Sequence, residues 1–233
     1  MSLLSPDRVL ISLAPAAVHV VQLRGKKIAV RHLCQGALDA LQEGLAAWDD
    51  LRGEATVVLS NAFVRYAVVP HAGEVTRTDE RIALSRAHFT RIYGDRVREW
   101  ELRIAPCARG EPGLAIAVDA ALLEALKLCF HGKRHLRLVS VQPYLMSAFN
   151  RWRARVPAAG AWLVLMEPDR TCVALLEGRR WHGVSVTRES VPAHTESSLA
   201  LVERERARMA AVGPPTVLAN MDDVPYGMAL SAQ

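Results

Sequence analysis

Apolar residues at the start of the chain fall into short runs with β-rich composition, each closed by turn residues. Residues 9–13 and 18–23 are rich in Val, Ile and Leu and are separated by Ala14-Pro15-Ala16. Arg24-Gly25-Lys26-Lys27 then turns the chain into a third run at 28–33. Runs of this length, punctuated in this way, predict three consecutive antiparallel strands. The period then lengthens. Leu38, Leu41, Leu45 and Trp48 recur at helical spacing over 38–48. The short apolar run 55–59 predicts a strand buried on both faces.

The next segment reads strand, helix, strand, strand. Residues 63–69 form the first strand, which Pro70 stops. Thr76-x-x-Asp79 has the form of a capping box, opening a helix that runs to Tyr93 with Gly94 as its natural stop. Ile82, Phe89 and either Ile92 or Tyr93 are expected to face inward. Strands follow at 99–104 and 114–118, joined by Gly110-Glu111-Pro112-Gly113, and a helix at 120–130 ends at His131-Gly132. A strand at 137–141 and a helix at 144–152 lead to a composition break at 157–160. Beyond it the opening pattern returns, with strands at 161–166, 171–176 and 181–187. A polar helix at 196–212 carries Leu199, Val202, Met209 and Val212 on one side, and a last strand lies at 216–219.

The order β-β-β-α-β therefore occurs twice, at 9–59 and 161–219. Three antiparallel strands followed by a helix and a parallel strand is the ribonuclease-H-like plan. Two such units make the actin-like plan, in which nucleotide sits between them. The expected class is α/β with two lobes. The first is residues 1–157, including an inserted subdomain at about 62–135. The second, 158–233, is shortened.

Two stretches carry a resemblance to a known family. Val9-Leu10-Ile11-Ser12-Leu13-Ala14-Pro15-Ala16-Ala17-Val18-His19-Val20-Val21-Gln22-Leu23 is similar, without a gap, to the first hairpin of the actin-like PilM, MshI and GspL proteins of type IV pilus and type II secretion assembly. In nucleotide-binding members that hairpin reads like V-G-L-D-I-G-S-S-S-V-K-L-V-E-L. Leu138-Val139-Ser140-Val141-Gln142-Pro143-Tyr144-Leu145-Met146-Ser147-Ala148-Phe149 resembles the family's V-x-D-V-E-P-F-A-L-A-R-A-F stretch. The strand–helix–strand–strand segment at about 62–119 resembles the inserted subdomain of PilM and of the division protein FtsA.

The departures from the family pattern bear on function. Ser12 stands where the family has the metal-holding Asp, Ala14 where it has a phosphate-approaching Gly, and His19 where it has a Lys. Pro15 has no N–H to offer an anion. In the second copy Leu165 replaces an Asp, and Glu167-Pro168-Asp169-Arg170-Thr171 lies where a Gly-rich phosphate turn belongs. The strand at 216–219 runs into Asn220-Met221-Asp222-Asp223 without the Gly-Gly pair that embraces adenosine. Together these changes predict that Mg-ATP is not bound, that no cofactor is used and that the chain is not an enzyme.

Composition narrows the remaining classes. About half the chain (51%) is hydrophobic, enough for a sizeable core, and the net charge is +5 at pH 7. The positive charge is mostly scattered Arg. Arg151, Arg153 and Arg155 around Trp152 are the nearest approach to a nucleic-acid surface, and Trp152 is expected instead to close the apolar face of its helix. A nucleic-acid module therefore ranks last. The four cysteines, Cys34, Cys107, Cys129 and Cys172, form no C-x-x-C pair and are expected to be reduced and buried. Cys129, His131 and His135 are a candidate metal cluster lacking a fourth ligand; exposed histidines beside a buried thiol are the competing reading. Glu99 and Glu101 are expected on one solvated strand face, and Glu203-Arg204-Glu205-Arg206 on a solvated helix face. With neither a signal-like start nor a membrane-spanning run, the expected location is cytoplasmic, peripheral to the inner membrane through a partner.

The resemblance implies a scaffold that takes up the cytoplasmic tail of an inner-membrane protein in a groove beside the inserted subdomain. Its expected contact surface comprises Arg65 and Tyr66, within residues 61–70, and the stripe Arg77, Arg81, His88 and Arg91 on the following helix. An ordinary polar helix face is the competing reading of that stripe. An ATPase or sugar-kinase-like enzyme with unusual phosphate loops is the alternative function.

Overall fold

The structure, a computed structural model, describes residues 7–70, 77–108, 110–178, 180–188, 195–209, 216–219 and 228. In chain order it runs β1 (Arg8–Leu13), β2 (Ala17–Arg24), β3 (Lys27–Gln35), α1 (Leu38–Ala47), β4 (Gly53–Leu59), β5 (Val64–Val69) and α2 (Thr78–Tyr93). A 3-10 segment (Gly94–Glu99) leads to β6 (Trp100–Ile104), β7 (Gly113–Asp119), α3 (Ala120–Phe130), β8 (Leu136–Pro143) and α4 (Tyr144–Trp152). The rest is β9 (Gly160–Glu167), β10 (Arg170–Glu177), β11 (Arg180–Thr187), α5 (Thr195–Arg208) and β12 (Val217–Ala219). Two compact units result. One holds Met1–Phe63, Ala121–Arg151 and Asp222–Gln233; the other holds Val64–Ala120 and Trp152–Met221.

The first unit is built on a five-stranded sheet ordered β3-β2-β1-β4-β8. The pairs β1–β2 and β2–β3 are antiparallel, while β4 runs parallel to both β1 and β8. This is the ribonuclease-H-like order. Val57, Val58 and Leu59 are all buried, so β4 is covered on both faces, as a central parallel strand must be. Helix α1 buries Leu41 and Leu45, and Trp48 just past its end stacks on His32 of β3 at 4.5 Å between ring centroids.

The second unit carries two sheets. One is the antiparallel three-stranded sheet β5-β7-β6. Helix α2 lies against it and buries Phe89 among Ala67, Val69, Val97, Leu102, Ala115 and Ala117. Gly94 ends that helix at φ 66°, a backbone conformation that glycine adopts without strain. The other sheet, ordered β11-β10-β9-β12, repeats the plan of the first: β9, β10 and β11 are antiparallel and β12 is parallel to β9. Leu201 and Val202 of α5 pack onto it against Trp162, Val164 and Leu175. The repeated β-β-β-α-β order read from the sequence is thus present in both copies.

Several placements differ from expectation. Ile92 is 55% exposed and Tyr93 also faces solvent, because the 3-10 segment after Gly94 turns the chain away and leaves Phe89 as the anchor. Tyr93 instead edges onto Trp100 at 5.2 Å. Glu99 ends the 3-10 segment rather than sharing a strand face with Glu101, which pairs with Arg103 at 3.1 Å. In α5, Leu199 is exposed and Leu201 is buried. The inward face passes through Glu205, which is 1% exposed and not solvated as expected. Arg208 and Arg204 approach Glu205 at 3.3 and 3.8 Å, so its charge is paired. All four cysteines are free, but only Cys129 and Cys172 are buried; Cys34 and Cys107 are half-buried. Thr76, Val212 and Asn220–Asp223 lie outside the described residues. Among the described residues no helix is long and apolar enough to cross a membrane.

Gly160 opens β9 at φ 106°, and a Cβ there would stand 2.1 Å from the Leu176 carbonyl oxygen. Gly160→Ala is expected to cost on the order of 2–4 kcal/mol, because it adds a backbone clash to a strained φ. Urea denaturation followed by circular dichroism measures this, and a midpoint unchanged from the parent would contradict it.

Candidate functional site

In the first unit, β1 and β2 place Ser12 opposite His19, with Val58 of β4 on the other side of Ser12. Ser12 is fully buried and its Oγ has no hydrogen-bond partner. An orphan hydroxyl of this kind costs roughly 1–3 kcal/mol. It is one oxygen on a neutral side chain, so it brings no charge to a metal. Between the strands the chain turns through Ala14-Pro15-Ala16-Ala17. The Ala14 N–H donates to the Ala17 carbonyl at 3.0 Å, and the Gly36 N–H donates to the Ala16 carbonyl at 2.8 Å. One of the N–H groups a phosphate would need is therefore engaged within the turn, and Pro15 supplies none. At this same end of β1 the Ser60 N–H donates to the Leu13 carbonyl at 2.8 Å.

In the second unit, β9 and β10 bring Leu165 opposite Cys172 and Glu167 opposite Arg170, so the hairpin turns in the two residues Pro168 and Asp169. Of these two turn residues, Pro168 has no N–H to offer an anion. Leu165, Glu167 and Thr171 are all buried. Burial, with the Glu167 charge nearby, pushes the Cys172 thiol well above its ordinary range. Arg170 donates from Nε to Asp169 Oδ1 at 3.0 Å, and this hydrogen bond holds the Asp169 carboxyl below the usual carboxylate range. The single cation of the turn thus sits on its own neighbour. The two hairpins belong to different compact units.

The residues expected to contact a partner all fall in the second unit. Arg65 and Tyr66 are neighbours on β5 and so project to opposite faces of its sheet. Arg65 shares the face of Ala67 and Val69, the face covered by α2, and its Nη1 donates to the Val64 carbonyl at 3.0 Å. At the N-cap of α2, Arg77 is exposed and pairs with Asp79 at 3.1 Å. Arg81 is half-buried and its Nη2 donates to Cys107 Sγ at 2.7 Å. His88 is half-buried and Arg91 is exposed. Exposed Ile92 sits one turn beyond His88 and extends this stripe with an apolar side chain. Its exposure was hidden in the sequence because helical spacing placed it inward with Phe89. Among the described residues no three His, Cys, Asp or Glu side chains converge as a metal would require; Cys129 is buried while His131 and His135 are exposed.

Comparison with solved structures settles the architecture. The cytoplasmic domain of EpsL, an inner-membrane component of the type II secretion system of Vibrio cholerae, superposes with a TM-score of 0.60 at 13% identity, over 93% of this chain and 84% of that one. A protein of Bacteroides thetaiotaomicron with an actin-like ATPase fold and unknown function gives a TM-score of 0.57 at 7% identity, over 95% of this chain and 85% of that one. This chain has the actin-like fold. A third neighbour comes from a PilM–PilN type IV pilus biogenesis complex, with a TM-score of 0.58 at 17% identity, over 97% of this chain and 85% of that one. No family profile and no curated protein matches the sequence.

The Asp169–Arg170 contact fixes a pH signature. Because the Asp169 carboxyl is depressed when folded, its stabilisation is complete above the ordinary carboxylate pKa of about 4 and fades as pH falls through the folded value. Asp169 is half exposed, so Asp169→Asn is expected to cost less than about 1 kcal/mol at neutral pH and nothing measurable near pH 2. Thermal melts of both proteins across that range check this; a constant gap at every pH would contradict it.

Proposed function

We propose that the chain is a non-catalytic scaffold of a type IV pilus or type II secretion assembly platform, docking the cytoplasmic tail of an inner-membrane partner. The observation that carries this reading is the state of the two hairpins on an actin-like fold. One has an N–H engaged inside its own turn beside a proline, and the other is reduced to two residues. A body of this fold without open phosphate loops is suited to holding other proteins. The likeness to the EpsL cytoplasmic domain and to a chain of the PilM–PilN complex supports the kind of machine proposed. On this reading the protein is cytoplasmic and reaches the membrane through its partner.

The docking surface on this reading is the outer side of α2, where His88, Arg91 and exposed Ile92 lie together. The apolar side chain supplies an anchor, and the arginine steers an acidic tail. The test uses synthetic peptides spanning the cytoplasmic tails of membrane proteins encoded beside this chain. One of them is expected to bind, and Ile92→Asp and Arg91→Glu are each expected to weaken it about tenfold or more by isothermal titration calorimetry. Both residues are exposed, so the melting temperature should hold. Binding unaffected by either substitution would remove the tail from this surface, and failure of every peptide to bind would overturn the scaffold reading.

A further inference from the structure

The end of α3 and the start of β8 enclose an open pocket of about 390 Å³ in the first unit. Its walls carry Lys127, Lys133, Arg134 and Arg137 over an apolar floor of Phe130 and Leu136, and no carboxylate lines it. Two acids stand at the rim: Glu124 pairs with Lys127 and Glu54 with Arg137, each at 2.5 Å. Lys133 donates from Nζ to the Leu45 carbonyl at 2.7 Å, which pins it in place without cancelling its charge. Arg134 makes no hydrogen bond or ion pair among the described residues. The surplus of cations over acids makes this a local anion-attracting surface.

A second observation says what kind of anion. Leu128 is 70% exposed, the most exposed of the large apolar side chains described. It follows Lys127 on α3 and stands one turn before His131, whose N–H donates to its carbonyl at 3.0 Å. On β8, Val139 is also exposed, two residues after Arg137, at the irregularity where the pairing with β4 passes from Leu138 to Ser140. Exposed apolar side chains beside these cations find no complement in a free phosphate. A bilayer with anionic headgroups complements both at once, charge at the surface and hydrocarbon just beneath.

We propose that the α3–β8 corner is a direct contact site for an anionic lipid bilayer, with Arg134 and its neighbouring cations on the headgroup phosphates and Leu128 in the acyl boundary. This contact goes beyond the tail-docking reading, in which the membrane is reached through a partner, and does not depend on it.

Vesicle flotation of the full chain tests it, using phosphatidylcholine alone and phosphatidylcholine mixed with phosphatidylglycerol. The protein is expected to float with the anionic vesicles, to be released by high salt and to ignore the neutral ones. Arg134→Gln is expected to lower partitioning about fivefold, and Leu128→Asp by more. Arg96→Gln, at an exposed cation of the second unit, should leave it unchanged. Both tested side chains are exposed, and unchanged melting temperatures exclude unfolding. No flotation at low salt would overturn the proposal. Flotation of the Leu128 and Arg134 variants equal to the parent's, or loss in the Arg96 variant alone, would also overturn it. So would binding of a poly-glutamate peptide, in place of vesicles, that Arg134→Gln abolishes.

Discussion

A hydrogen bond of 3.0 Å from the Ala14 N–H to the Ala17 carbonyl closes the first hairpin, and the functional account rests on that closure. Backbone N–H groups at a strand turn hold a phosphate only when they point outward and have no internal partner. Here the first N–H of the turn is satisfied from within and the second is absent because the residue is proline. The second hairpin reaches the same end by shortening, since Glu167 and Arg170 face each other across a two-residue turn. Its one cation is held by Asp169 and its buried acid is Glu167, so both its geometry and its charge oppose a triphosphate.

The remainder of the structure tolerates this loss because the sheets do not depend on the turns for their stability. β1 is paired on both sides, to β2 and to β4, and Val9, Ile11, Val18 and Val20 are fully buried. A shift of register by one residue would exchange the side chains packed on the two buried faces of β1, so the core fixes the register whatever the turn sequence is. The same holds for β9, paired to β10 and β12, with Trp162 and Val164 fully buried. Turn residues are then free to change, and what changes with them is ligand chemistry. On the readings proposed above, function falls to surfaces away from the hairpins: the outer side of α2 and the corner between α3 and β8.

Much of the fold was legible in the sequence because it is written in short-range patterns. The twofold β-β-β-α-β order follows from short β-rich runs closed by turn residues and from helical spacing, and the observed strands extend those runs by a residue or two at most ends. What the sequence hid depended on rotation about a helix axis and on irregular backbone. Leu199 and Ile92 have the spacing of buried residues yet face solvent, because Leu201 and Phe89 took the inward positions. Glu205 sits in a run that balances its own charge and still points inward, where Arg204 and Arg208 meet it. The decayed hairpins were readable as substitutions, but the length of the second turn was not, since it depends on where strand pairing stops. Arg65 and Tyr66 were grouped as neighbours in sequence, although a strand sends neighbours to opposite faces.

Isothermal titration of the intact chain with ATP in the presence of magnesium reaches the central claim most directly. Hairpins closed in the way described predict no saturable heat at nucleotide concentrations up to the millimolar range. A stoichiometric isotherm with a dissociation constant on the order of 1 μM, about 8 kcal/mol of binding free energy, would contradict the account.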